Sequence, residues 1–199
     1  MDSTFITNVG GGMGGGCDFN YPDGINGEYI TEQLCDNSSN STPYQVPTGK
    51  TLYITSVQSD HIIYIEDDFG VNTPIASAIN HPIGNGSKTL HNPIILGEGK
   101  TISGCYNSHT VINGFLVENS QVTPITRNGP TSPLMVVPSG KKLIITNSYS
   151  GTLNIDSKPI DKGVGDPYAL GHPILANAGQ TVGSPAFNGY LVDENYFAN

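Results

Sequence analysis

The chain has 199 residues, enough for one medium domain or two small ones. Only 13% are charged, and 8 basic against 17 acidic side chains give a formal charge of -9, a balance that repels phosphate and excludes general nucleic-acid binding. No run approaches the ~20 apolar residues that a bilayer-spanning helix requires, so membrane insertion is not expected.

Abundant Ile and Thr, with 25 glycines and 14 prolines, favour short extended segments separated by turns. Residues 1–42 open with "MDSTFITNVGGGMGGG", which has neither the basic region nor the apolar core of a secretory signal; either a signal has been removed or the protein leaves its cell by a route such as lysis, which Met1 favours. They read as a glycine-rich arm or anchor, with one short strand near Glu28–Thr31. Gly10, Gly12 and Gly15 match a dinucleotide-binding spacing, but no strand precedes them and no helix follows, so low complexity explains them. Cys17 and Cys35 bracket a turn-rich stretch and can form a disulfide in an oxidising environment; free apolar thiols are the alternative. Cys105 is expected to be a buried thiol.

A first β module is expected over residues 43–118. In "VPTGKTLYITSV" a Pro-Gly turn leads into a strand with Leu52 and Ile54 on one face and Thr51, Tyr53 and Thr55 on the other. Ile63 and Ile65 give the next inward pair, "GEGKTI" a second turn and strand, and "VINGFLVE" a single closing strand. A hairpin at Asn113-Gly114 is disfavoured because Pro185 would sit in the partner strand of the corresponding later phrase. Gly114 then admits a bulge or a neighbouring ring. Residues 119–132, "NSQVTPITRNGPTS", read as a linker, and residues 133–199 as a second β module.

The second module repeats the first. "VPSGKKLIITNS" matches "VPTGKTLYITSV" at offset 91, "LNID" matches "IYIE" at 90, "HPILANAGQTV" matches "NPIILGEGKTI" at 80, and "FNGYLVD" matches the closing phrase at 75. Four phrases in the same order mark a duplicated unit. The first copy carries extra residues, mostly between Asp67 and His91, and an outer loop is expected at residues 67–89.

Candidate chemistry is sparse. "GKT" at Gly49–Thr51 lacks the earlier glycine of a phosphate loop, since Tyr44 stands there. Glu66, Asp67 and Asp68 are the calcium candidate, but the spacing of a calcium loop is missing and a solvated turn is the preferred reading. His81, His91 and His172 neighbour prolines at no zinc spacing and read as turn or subunit-contact residues. Cys105 and His109, four apart on an extended chain, stand ~13 Å apart, too far for proton transfer. No cofactor and no catalytic activity are expected. Tyr53, Tyr64 and Tyr149, as outward strand residues, are the candidates for receptor or glycan contact.

The phrases "VPTGKTLYIT", "PIILGEGKTI" and "INGFLVE", with their second copies, resemble the small β-sandwich modules of phage fibre, spike and capsid-decoration proteins and of Bacteroidetes surface proteins. The resemblance implies an all-β fold of two tandem small antiparallel β-sandwich, jelly-roll-like modules. It also implies a virion structural or attachment role, homotrimers, contact with other virion proteins and a host surface glycan or protein, and residues 1–42 as the anchor. A cell-surface carbohydrate-binding or adhesin module is the competing expectation.

Overall fold

The computed structural model describes residues 19, 21–35, 42–59, 62–77, 87–104, 110–129, 133–183 and 186–197. The described part is all-β, in small antiparallel sheets. The first repeat contains β1 (Glu28–Cys35), β2 (Tyr44–Gln45), β3 (Lys50–Gln58), β4 (Ile62–Glu66), β5 (Asn72–Ser77), β6 (Ser87–Leu96), β7 (Thr101–Ser103) and β8 (Thr110–Glu118). The second contains β9 (Thr123–Arg127), β10 (Met135–Val136), β11 (Lys141–Ile155), β12 (Lys158–Asn177), β13 (Thr181–Gly183) and β14 (Ala186–Asp193).

Two four-stranded sheets build the first repeat, in the orders β1-β8-β3-β6 and β2-β7-β4-β5. The second follows the same plan strand for strand. β11 pairs β14 and β12 just as β3 pairs β8 and β6, so Leu143 faces Leu191 and Ala176 where Leu52 faces Leu116 and Leu96. At the far end of β11, Ile155 faces Val182 as Ile65 faces Ile102. The difference is continuity: β11 and β12 run unbroken through both sheets of their repeat, joining them into one six-stranded sheet.

Alternation dictates the cores. Leu52, Ile54, Ile94, Leu96 and Leu116 from one sheet meet Val46, Ile63, Ile65 and Ile102 from the other. Their counterparts Leu143, Ile145, Leu191, Leu153, Ile155 and Val182 fill the second core. Fully burying such a side chain stabilises by ~1.5–3 kcal/mol. A third core lies between the repeats and contains Tyr53, Ile95, Phe115, Ile144, Tyr190 and Val192.

Three expectations are corrected here. The pair of tandem jelly-roll-like sandwiches is replaced by a propeller-like arrangement of small sheets, two of them continuous through β11 and β12. The reason is the third core: the outward face of each main sheet is itself apolar and buried, so sheets pack on both sides. The stretch at residues 119–132 is not simply a linker, because β9 pairs β14 as the outer strand of the second repeat, the place β1 takes beside β8 in the first. Residues 19–35 likewise belong to the body rather than to an arm: Phe19 and Tyr21 pack into the third core, and β1 spans Glu28–Cys35. The rest of the glycine-rich stretch, residues 1–18, lies outside the described residues.

The twice-written Asn-Gly phrase has a mechanical explanation. It forms the single strand β8 and, in its second copy, β14. Opposite each glycine the partner strand bulges, between Ile54 and Ser56 in β3 and between Ile145 and Asn147 in β11. A Cβ on Gly114 would stand 2.1 Å from the Tyr53 carbonyl oxygen, and one on Gly189 2.1 Å from that of Ile144. The bulged threonines repeat too: Thr55 Oγ1 donates to the Asn113 carbonyl and Thr146 Oγ1 to the Asn188 carbonyl, both at 3.2 Å.

Candidate functional site

The most elaborate polar construction in the described chain is the joint between the repeats. β6 is the outer strand of its sheet, so one side of it has no neighbour within that sheet. Asn188, on β14, supplies what a neighbouring strand would. Ile95 N–H donates to Asn188 Oδ1 at 2.8 Å, and Asn188 Nδ2 donates to the Ile95 carbonyl at 2.8 Å. Two further amides reinforce the contact: Asn147 Nδ2 donates to the Pro93 carbonyl and Asn92 Nδ2 to the Thr146 carbonyl, each at 2.9 Å. Asn92, Asn147 and Asn188 are all buried. Asn188 is held in place by its own sheet, with Nδ2 also donating to Thr126 Oγ1 at 3.1 Å and to the Ile125 carbonyl at 3.4 Å. A side-chain amide thus mimics a peptide unit and satisfies an edge that burial would otherwise leave orphaned.

Phe19, Pro22 and Asp23 close over this joint with Tyr190 and Tyr196. Asp23 accepts bonds from Tyr53 Oη at 2.7 Å, Gln121 N–H at 3.1 Å and the Ser120 hydroxyl. Tyr190 Oη donates to the Phe19 carbonyl and Tyr196 Oη to the Pro22 carbonyl. Burial, then the charge of Asp23, pushes the Tyr53 phenol up, and the same two causes raise Tyr196.

Tyr53 is therefore not a receptor-facing residue. It is fully buried and stacked on Phe115 at 5.1 Å between ring centroids. Its parity was read correctly, but the face opposite the first core is covered by the second repeat and residues 19–23. Tyr64 is 38% exposed on β4. Tyr149 lies in β11, and its side chain is outside the described residues.

The acidic turn is a structural latch rather than a solvated loop. Asp67 is fully buried and its Oδ1 accepts from Phe69 N–H and Val71 N–H, both at 2.8 Å, while Lys100 Nζ donates to its carbonyl. Glu66 accepts from Thr101 Oγ1 at 3.0 Å. Its counterpart Asp156 accepts from Thr181 N–H and from the Gln180 amide, which lower its pKa. Asp68 reaches across to β9: its N–H donates to the Thr126 carbonyl, and Arg127 Nε stands 3.4 Å from its Oδ2. Burial nonetheless raises the Asp68 pKa, outweighing the attraction of Arg127. Arg127 also covers the Phe69 ring at 4.7 Å. The three carboxylates thus point to different protein partners, and no metal-holding cluster of His, Cys, Asp or Glu occurs among the described residues.

Within the expected outer loop at residues 67–89, the described residues include β5 and the start of β6, while residues 78–86 lie outside them. Cys35 is disulfide-bonded; Cys17 and Cys105 lie outside the described residues, as do His81 and His109. His91 lies in β6, its side chain also outside, and His172 is exposed on β12. An open cleft of about 450 Å³ lies beside the latch, lined by Lys50, Asp68, Glu98, Lys100, Ser120 and Thr123 among others. Its size suits a small ligand, but its lining includes no aromatic residue.

The joint asparagines were missed in the sequence. One signal was available: asparagine is depleted in strands, yet it recurs before the glycine of each closing strand. No protein-family model and no curated protein matches the chain.

Proposed function

We propose that the protein is a non-enzymatic building block of a virion surface, a capsid-decoration, spike or fibre-type component that works by packing against copies of itself and neighbouring proteins. What carries this reading is the joint: buried amides tie one copy of a duplicated unit to the other through backbone groups at a sheet edge. Recognition of backbone by shape and register is the physics of assembly. The acidic, sparsely charged surface agrees with a particle exterior that avoids nucleic acid. Residues 1–18 are the natural candidate for attachment to the particle. A host glycan or protein is the outward partner in this reading.

Electron microscopy of particles labelled with an antibody to the protein tests the proposal. Regular decoration of the virion surface is the expected result, and particles that lack the protein refute it. Deleting residues 1–18 should abolish incorporation while leaving the fold intact; unchanged incorporation removes the anchoring role. The cleft beside Lys100 favours a second reading, a carbohydrate-binding or adhesin module. Glycan binding by a stable monomer, weakened by Lys100→Ala or Thr123→Ala, would establish that reading instead.

A further inference from the structure

The contact that joins the two repeats has two sides. One is the outer edge of β6, with Asn92, Pro93 and Ile95; the other is the outward face around the bulge of β11 and β14, with Thr146, Asn147 and Asn188. Because the unit is duplicated, the chain also carries a second copy of each side. Their counterparts on the second edge are His172, Pro173 and Leu175; those on the first face are Thr55, Ser56 and Asn113.

Both spare sides reach solvent, with Asn113, His172 and Leu175 exposed and Thr55, Ser56 and Pro173 half-buried, and they keep the geometry of the used ones. Asn113 Nδ2 donates to the Ile30 carbonyl at 3.2 Å and to Thr31 Oγ1 at 3.0 Å, the same two anchors that hold Asn188 through Ile125 and Thr126. Asn188 is buried against Ile95, whereas Asn113 is exposed. Leu175 sits opposite Ile144 as Ile95 sits opposite Tyr53, on a stretch of β12 that pairs only β11 among the described strands. Ile95 is fully buried; Leu175 is 54% exposed, an unusual placement for a large aliphatic side chain at a sheet edge. Tyr29, 73% exposed, shares the outward face with Asn113 and adds apolar surface there. Hydrogen-bonding capacity survives each exchange: Ser56 replaces Asn147 as a donor to a proline carbonyl, and the His172 imidazole replaces the Asn92 amide as a donor to a threonine carbonyl.

We propose that the β12 edge of one chain docks on the Asn113 face of a second copy, reproducing between chains the joint that each chain already contains. Asn113 Oδ1 and Nδ2 then clamp the Leu175 N–H and carbonyl of the neighbour. The contact is heterologous, so it propagates head to tail and ends either in a closed ring or in a filament. A closed ring of three chains would place six equivalent units around one axis. The inference deepens the self-assembly part of the proposed function and names the surface that performs it.

Sedimentation of the full chain, of Leu175→Asp and of Ser56→Arg tests it. Leu175 is exposed and Ser56 half-buried, and far-UV circular dichroism with thermal melting verifies that each variant folds. The expected pattern is an oligomer for the parent chain, monomers for each variant alone, and a two-chain species when the variants are mixed, because one intact edge then meets one intact face. Oligomers that persist in both variants overturn the interface and leave the virion role standing. Mixed variants that stay monomeric overturn the head-to-tail pairing. A parent chain that is monomeric at every concentration overturns both this contact and the self-association in the functional proposal.

Discussion

Asn188 and Asn113 are the same residue in the same local frame, and their substitution by alanine separates the worth of the joint from the worth of the strand. Asn188→Ala leaves the Ile95 N–H and carbonyl without their 2.8 Å partners in a buried site. An orphaned buried backbone group costs ~1–3 kcal/mol, so the two together cost ~2–6 kcal/mol, reduced where water can enter. Asn113→Ala removes bonds to Ile30 and Thr31 at an exposed position, where water replaces them, and ~0.5–1 kcal/mol is expected. At ~2–4 °C per kcal/mol for a chain of this size, Asn188→Ala should melt roughly 4–24 °C lower and Asn113→Ala about 1–4 °C lower. Differential scanning calorimetry of a non-associating background such as Leu175→Asp measures both without interference from assembly. Equal losses for the two variants would falsify the claim that Asn188 completes the β6 edge.

Gly189→Ala and Gly114→Ala each drive a Cβ into a carbonyl oxygen 2.1 Å away, and should cost ~1–3 kcal/mol as overpacking after the entropic gain of alanine is subtracted; urea melts at unchanged m-value check this, and a neutral substitution would contradict the bulge. Tyr53→Phe removes the bond to Asp23 and should lower stability by ~1–2 kcal/mol without altering the fold, as followed by near-ultraviolet circular dichroism. Asp156 should titrate below the usual aspartate range because Thr181 N–H and Gln180 favour its charged form, so its stabilising effect is present above the unfolded pKa and lost as pH falls through the folded one. Carbon-detected NMR of Asp156 should show that depressed midpoint, partly restored in Gln180→Ala. Asp68 runs the other way: its burial raises the folded pKa, so its contribution is present below the ordinary aspartate value and lost as pH rises through the folded value. An Asp68 midpoint at or below the ordinary value would contradict that sign.

The repeat and its inward residues were legible because alternation is a local property. Leu52, Ile54, Leu143 and Ile145 reach their cores as the pattern requires. Tyr53 shows where that reasoning stops. A period of two assigns a residue to one face of a strand, but says nothing of whether that face meets water or another sheet. The same limit concealed β9, which repeats the place of β1 without repeating its wording, and the packing of Phe19 and Tyr21 into the third core. Asn92, Asn147 and Asn188 were invisible as a group because no two of them are close in sequence. The acidic turn looked solvated because its carboxylates are consecutive; only the fold brings Thr101, Lys100 and Arg127 to them.

Tyr190 and Tyr196 grip Phe19 and Pro22 across 171 and 174 residues of chain. During synthesis the aromatic faces of Tyr53 and Phe115 are therefore made before Tyr190 and Tyr196, which pack in the same cluster, have left the ribosome. Closure of the joint therefore needs contacts of very long sequence separation, which form slowly. A nascent or truncated chain thus presents an apolar, edge-bearing surface that invites another copy's strands in place of its own, so premature termination near Tyr190 should yield aggregates rather than a smaller folded protein.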